Sequence, residues 1–146
     1  MEEYVLICED STEGILTGVY EAYRFKKDRG IASHDAIHLV TAEPEVQRLF
    51  TEYVHIQADH GKAAKVTGTI AAQLGDETWY RLSMAMVSCH EEKADAVYHT
   101  VVLGLKTRDR HVTDRLKEDC VQGVFKCARA SDNELCHLRQ FLRFSE

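Results

Sequence analysis

The sequence predicts an α+β fold that is mostly α. A small N-terminal sheet of about three short strands with one helix precedes a bundle of about five to six helices. Three observations lead there. Three apolar runs of strand length fall within the first 58 residues. From Asp59 onward, apolar residues recur at helical spacing. A single proline and eight glycines leave no room for a long flexible linker. The 146 residues suit one domain, divided into an α+β portion (1–58) and a helical portion (59–146).

Tyr4 to Cys8 is the first predicted strand. Asp10 or Ser11 then suits a helix N-cap, with Glu13 three residues after Asp10. Ile15, Leu16, Val19, Tyr20 and Tyr23 form one helical stripe, and Gly30 can stop the helix. Ala36 to Val40 reads as the second strand. Pro44 suits the first turn of a short helix with Val46, Leu49 and Phe50 facing inward. Tyr53 to Gln57 reads as the third strand, with Val54 and Ile56 on one face and Tyr53, His55 and Gln57 on the other.

Asp59 caps the next predicted helix, which carries Ala63, Val66, Ile70 and Leu74 and stops at Gly75. Asp76 caps another, with Trp79, Leu82, Ser83 and Met86. A third carries Ala94, Val97, Tyr98, Val101 and Leu105. A short helix around Val112 and Leu116 follows, then one marked by Val121, Val124, Phe125 and Ala128. The capping box Ser131 to Glu134 starts a last helix through Leu135, Leu138 and Leu142.

Hydrophobic residues make up 45% of the chain, ordinary for a globular domain, and no apolar run approaches the ~20 residues that span a bilayer. The opening MEEYVLICED is acidic and too short in apolar residues for a signal peptide, so a cytoplasmic location is expected. Five cysteines, an odd number with no Cys-x-x-Cys pair, point to buried thiols in a reducing compartment rather than a disulfide framework. The net charge of −6 opposes strong binding to a phosphate backbone everywhere except on a local basic face.

Chemistry-bearing motifs are few. Cys89-His90 and Cys136-His137 are adjacent pairs, and neighbours on a helix point about 100° apart, a poor arrangement for one ion. Cys120 and Cys127 share a helical face, as core residues also do. No metal and no cofactor is expected. Glu134 and His137 can meet on one face of the last helix as a carboxylate-oriented base, although a helix-start glutamate followed by a histidine needs no function. Phosphate-loop and nucleophile-elbow motifs are missing. The basic segments are the best pointer. Lys106, Arg108, Arg110, Arg115 and Lys117 crowd one connection. Arg139 and Arg143 lie four apart, and Arg24, Lys26, Lys27 and Arg29 form a third cluster. Arginines at helix ends can cradle phosphate, and the same residues can equally form a solvated, ion-paired surface.

Short matches run in order along most of the chain. They begin with Cys8-Glu9-Asp10-Ser11, Glu13-Gly14-Ile15-Leu16 and Tyr20-Glu21-Ala22. Asp59, Lys62-Ala63 and Lys65-Val66 follow, then Ala94 to Tyr98 and Leu103-Gly104. Asn133-Glu134, His137 and Phe141-Leu142-Arg143-Phe144 close the series. In these the chain resembles a bacterial family of DNA-metabolism or DNA-repair proteins, a domain of unknown function. Ala58 stands where the family pattern has Thr, the Lys106 to Arg110 loop departs from a Gly-containing one, and family chains generally continue past Phe144. The resemblance implies a radical-SAM partner and a link to uracil-DNA-glycosylase-like domains. It supplies no catalytic residues.

Three functional expectations follow. The first is an accessory or DNA-binding module in repair, using Lys106, Arg108, Arg110, Arg139 and Arg143. The second is an interaction subunit for a radical-SAM enzyme or glycosylase, without DNA contact of its own. The third is an enzyme with a Glu134/His137 site. The residues favour a partner-dependent module over a free-standing catalyst.

Overall fold

The computed structural model describes residues 2–129. Three strands, β1 (Glu3–Cys8), β2 (Ile37–Val40) and β3 (Thr51–Ile56), form one parallel sheet in the order β2-β1-β3. The register pairs Leu6 with Leu39 and with Val54. One face therefore presents Leu6, Cys8, Ile37, Leu39, Val54 and Ile56, and all six join the core. The predicted alternation of the third strand holds: Val54 and Ile56 pack inward, while His55 is exposed.

Helix α1 (Thr12–Arg29) returns the chain from β1 to β2. Ser11 is its cap: the Oγ accepts from Gly14 N at 2.9 Å. Ile15, Leu16, Val19 and Ala22 bury its inner stripe. Gly30 ends it in the left-handed conformation, donating to the carbonyls of Lys26 and Lys27. Helix α2 (His60–Met86) opens on Asp59, whose side chain accepts from Lys62 N. Thr17 joins the two helices, its Oγ1 accepting from Asp59 N at 2.9 Å.

The predicted break at Gly75 is real. With φ 87° and ψ 169°, Gly75 occupies a region essentially closed to other residues, and α2 bends there into two arms. Arg110 packs against the bend and donates from Nη1 to the Ala72 carbonyl at 3.0 Å. Helix α3 (Lys93–Thr107) then lies along the free edge of β2. Its Lys93 is buried, and the ammonium meets Asp10 Oδ1 at 2.5 Å and the Ser88 carbonyl at 2.6 Å. Residues 119–129 are helical (α4) and bury Val121, Val124 and Cys127.

Three expectations need correction. Among the described residues three α-helices, α2 to α4, follow the sheet portion rather than five to six, making four with α1; the helix predicted from Ser131 lies outside them. The segment around Val112 and Leu116 is only a 3-10 turn, Val112–Asp114, with Leu116 60% exposed. Asp109 explains this. Its carboxylate accepts from His111 N at 2.9 Å and from Arg115 Nε at 2.7 Å, local bonds that compete with a helical ladder.

Residues 41–50, the expected short helix at Pro44, form an irregular crossover instead. Because all strands are parallel, these ten residues must run back about 13 Å along the sheet and about 10 Å across two strands. A helix of all ten would cover about 15 Å and leave none for the reversals at its ends. The crossover is spread over the outer face of the sheet, where Arg48 N donates to Tyr53 Oη and Glu43 contacts His55. Val46, Leu49 and Phe50 therefore have nothing to pack beneath, and are 77%, 86% and 78% exposed rather than inward. Among the described residues no helix is long and apolar enough to cross a membrane.

Candidate functional site

Two cavities flank the short His34–Ala36 turn, and their charges are opposite. The first is a groove of about 890 Å³ between α1, α2 and the end of α3. Its polar wall carries Arg24, Lys26, Lys27 and Lys65 against a single acid, Asp28. Its aromatic wall carries Tyr20 and Tyr23. Lys62 and Lys65 lie over the Tyr20 ring, with their ammonium groups 5.8 and 5.9 Å from its centroid. Arg24 is exposed and pairs with the partly buried Glu21 at 4.0 Å and the exposed Asp28 at 3.6 Å. Among the described residues, Lys26, Lys27 and Lys65 have no ion-pair partner. Helical spacing explains the assembly. Tyr20, Tyr23, Arg24 and Lys27 recur at intervals of three and four along α1, so they share one face.

The second cavity, about 590 Å³, opens between β2, α3 and the segment leading into α4. Asp35, Glu92, Asp95, Glu118 and Asp119 line it, with Lys106 as the one lysine. At its wall, Asp95 Oδ2 lies 3.3 Å from His38 Nδ1, and Asp95 Oδ1 lies 3.2 Å from His99 Nε2. The same Oδ1 accepts from Leu39 N at 3.1 Å, satisfying a main-chain donor of an edge strand. Burial disfavours the ionised Asp95, but the hydrogen bonds from His38 and His99 outweigh it and hold the carboxyl below its usual range. The bond to Asp95 in turn raises the pKa of His38.

A chain of rings connects the two cavities. Tyr23 lies against His34, His34 against Tyr98, Tyr98 against His99, and His99 against His38. Tyr98 is fully buried, and burial pushes its hydroxyl far above its ordinary pKa. It therefore stays protonated, and its oxygen is hydrogen-bonded to His34 Nδ1 at 2.5 Å. Burial, aided by the charge of Lys26, drops the pKa of His34 to about 4. Since this lies below the unfolded value of about 6.5, the unfolded chain binds more protons between the two. Stability from His34 is complete above pH ~6.5 and is lost as the pH falls toward 4. His38 acts oppositely, because a raised pKa stabilises below its unfolded value and the benefit fades as the pH rises. In calorimetry from pH 6.5 to 4, His34→Gln is expected to flatten the fall in Tm relative to the parent chain. An unchanged slope would remove His34 from this account.

The residues singled out from sequence are dispersed. Lys106 faces the acidic cavity. Arg108 is exposed at the left-handed C-cap of α3. Arg110 is occupied by the α2 bend, and Arg115 is paired with Asp109. Arg29 forms a two-pronged pair with Glu52 at 3.0 Å. Arg139, Arg143, Glu134 and His137 lie outside the described residues. Of the expected buried thiols, Cys8 and Cys127 are buried and Cys89 is exposed.

Sequence reading passed over His38, Asp95 and His99. The Asp95/His99 spacing of four was a visible signal, but nothing local links it to a histidine on β2.

The end of β1, where parallel sheets often bind phosphate at a helix N-terminus, is acidic here. Glu9 and Asp10 crowd it, Ser11 takes the first free amide, and Glu9 Oε2 accepts from Ala58 N at 2.8 Å. No protein-family model, curated protein or solved structure matches the chain.

Proposed function

We propose that this protein is an accessory, nucleic-acid-binding module of DNA metabolism or repair, and that single-stranded DNA runs along the α1–α2 groove. The observation that carries the reading is the union of Tyr20 and Tyr23 with Arg24, Lys26, Lys27 and Lys65 on one concave surface. Sequence-tolerant strand binders combine these two elements, cations tracking the backbone and rings on which bases stack. The family resemblance adds the DNA context. A net charge of −6 restricts binding to this face and makes it modest and strongly salt-dependent.

Titration of a labelled oligonucleotide by fluorescence anisotropy tests the reading. With four cations engaged, log K against log salt should fall with a slope of about −3 for a single strand. No binding at low salt would end it.

The exposed Val46, Leu49 and Phe50 of the 41–50 crossover favour a second reading, an interaction subunit for a radical-SAM enzyme or DNA glycosylase. Under it, Leu49→Ser with Phe50→Ser abolishes co-purification with such a partner and leaves oligonucleotide affinity unchanged. Capture by the double variant at the parental level would eliminate this surface.

A further inference from the structure

We propose that His38, Asp95 and His99 hold a divalent metal ion of the zinc class at the wall of the acidic cavity. The assignment does not depend on the DNA-binding reading, because it uses none of the groove residues.

Three donors converge from two elements, His38 from β2 and the Asp95/His99 pair from successive turns of α3. Their ligand atoms all lie within 4.8 Å of one another. Zinc bound tetrahedrally at about 2.0–2.1 Å separates its ligand atoms by about 3.3–3.4 Å. The two histidine–carboxylate separations, 3.3 Å from His38 Nδ1 to Asp95 Oδ2 and 3.2 Å from His99 Nε2 to Asp95 Oδ1, are of that size but end on different oxygens of the carboxylate. Binding therefore requires the carboxylate to turn one oxygen to the ion, or to offer both, while the two imidazoles draw in from within 4.8 Å.

The supporting groups are also in place. Leu39 N donates to Asp95 Oδ1 and fixes the carboxylate, the kind of outer contact that orients metal ligands. Tyr98 lies against the His99 ring with centroids 4.7 Å apart. The donors are half-buried, so desolvation is limited and an ion can reach them from the cavity. Asp35, Glu92, Glu118 and Asp119 make that cavity attractive to cations, and His38, Asp95 and His99 all line it. Two imidazoles with one carboxylate suit zinc, cobalt or ferrous iron, whereas magnesium and calcium prefer oxygen throughout.

The competing account is purely structural: Asp95 pins the β2 edge to α3, and the imidazoles merely satisfy its oxygens. Calorimetric titration of the chelator-treated full chain with Zn²⁺ separates the two, with Co²⁺ absorption as a second readout of geometry. One equivalent should bind, and Co²⁺ should give a tetrahedral spectrum. His38→Gln, His99→Gln and Asp95→Asn should each weaken binding by at least about tenfold. Asp95→Asn keeps an oxygen for Leu39 N, and circular dichroism confirms which variants remain folded. His60→Gln, an exposed histidine paired with Glu13, should bind as the parent does. Absence of binding overturns the assignment. So does parental affinity in folded His38→Gln and His99→Gln, or a preference for Mg²⁺ over Zn²⁺.

Discussion

Gly14→Ala is expected to destabilise the protein by about 3 kcal/mol, the upper end of the range for overpacking. A Cβ on Gly14 would stand 2.3 Å from the Glu9 carbonyl oxygen and 2.9 Å from the Glu9 carbonyl carbon. Both are main-chain atoms, so relief requires moving the β1–α1 connection itself. That connection also carries the Ser11 cap and the Glu9 bond to Ala58 N that ties the ends of β1 and β3 together. A domain of ordinary stability has only about 5–15 kcal/mol in total. Thermal denaturation should show Tm lower by roughly 10 °C, given about 2–4 °C per kcal/mol at this size. Gly68→Ala is the matched control. Nothing lies within 4 Å of its added Cβ, and the site is exposed within α2. The control should hold or raise Tm, because alanine is the better helix former by about 1 kcal/mol. Equal Tm for Gly14→Ala and the parent would contradict the close approach at the start of α1.

Replacing Lys26, Lys27 and Lys65 together by alanine is expected to weaken single-stranded DNA binding by roughly 10–100-fold at low salt. The slope of log K against log salt should fall in magnitude by about 2, the value for three lost phosphate contacts on a single strand. Folding should be little affected, since none of the three has an ion-pair partner among the described residues. Lys106→Ala with Arg108→Ala is the discriminating comparison. Lys106 faces a cavity lined by Asp35, Glu92, Asp95, Glu118 and Asp119, a field that repels phosphate. That pair of substitutions should leave affinity within about twofold, because an exposed contact outside the binding face contributes little. The opposite ranking would move the DNA path from the α1–α2 groove to the end of α3.

Much of the fold was legible in the sequence, because local physics decided it. The apolar run at Tyr4 to Cys8 is a strand. Ser11 and Asp59 cap helices because their side chains reach backbone amides three residues away. Gly75 breaks α2 because its conformation excludes other residues. Apolar periodicity placed Ile15, Val19, Ile70, Leu74, Val97, Tyr98 and Val101 in the core before any tertiary contact was known.

What the tertiary structure alone decided involves distance along the chain. The crossover 41–50 could not become the helix suggested by Pro44, because parallel pairing on both sides of β1 fixed the path its ten residues had to cover. Basic residues that neighbour one another in sequence were drawn apart: Lys106 toward acids, Arg110 onto a helix bend, Arg115 onto Asp109. Lys65 joined Lys26 and Lys27 only through the packing of α2 on α1. His38 met Asp95 and His99 across more than fifty residues because α3 covers the edge of β2. Caps, periodicity and breaks act within a few residues and can be read in order. Sites are assembled by packing between elements, so their members need not resemble a motif.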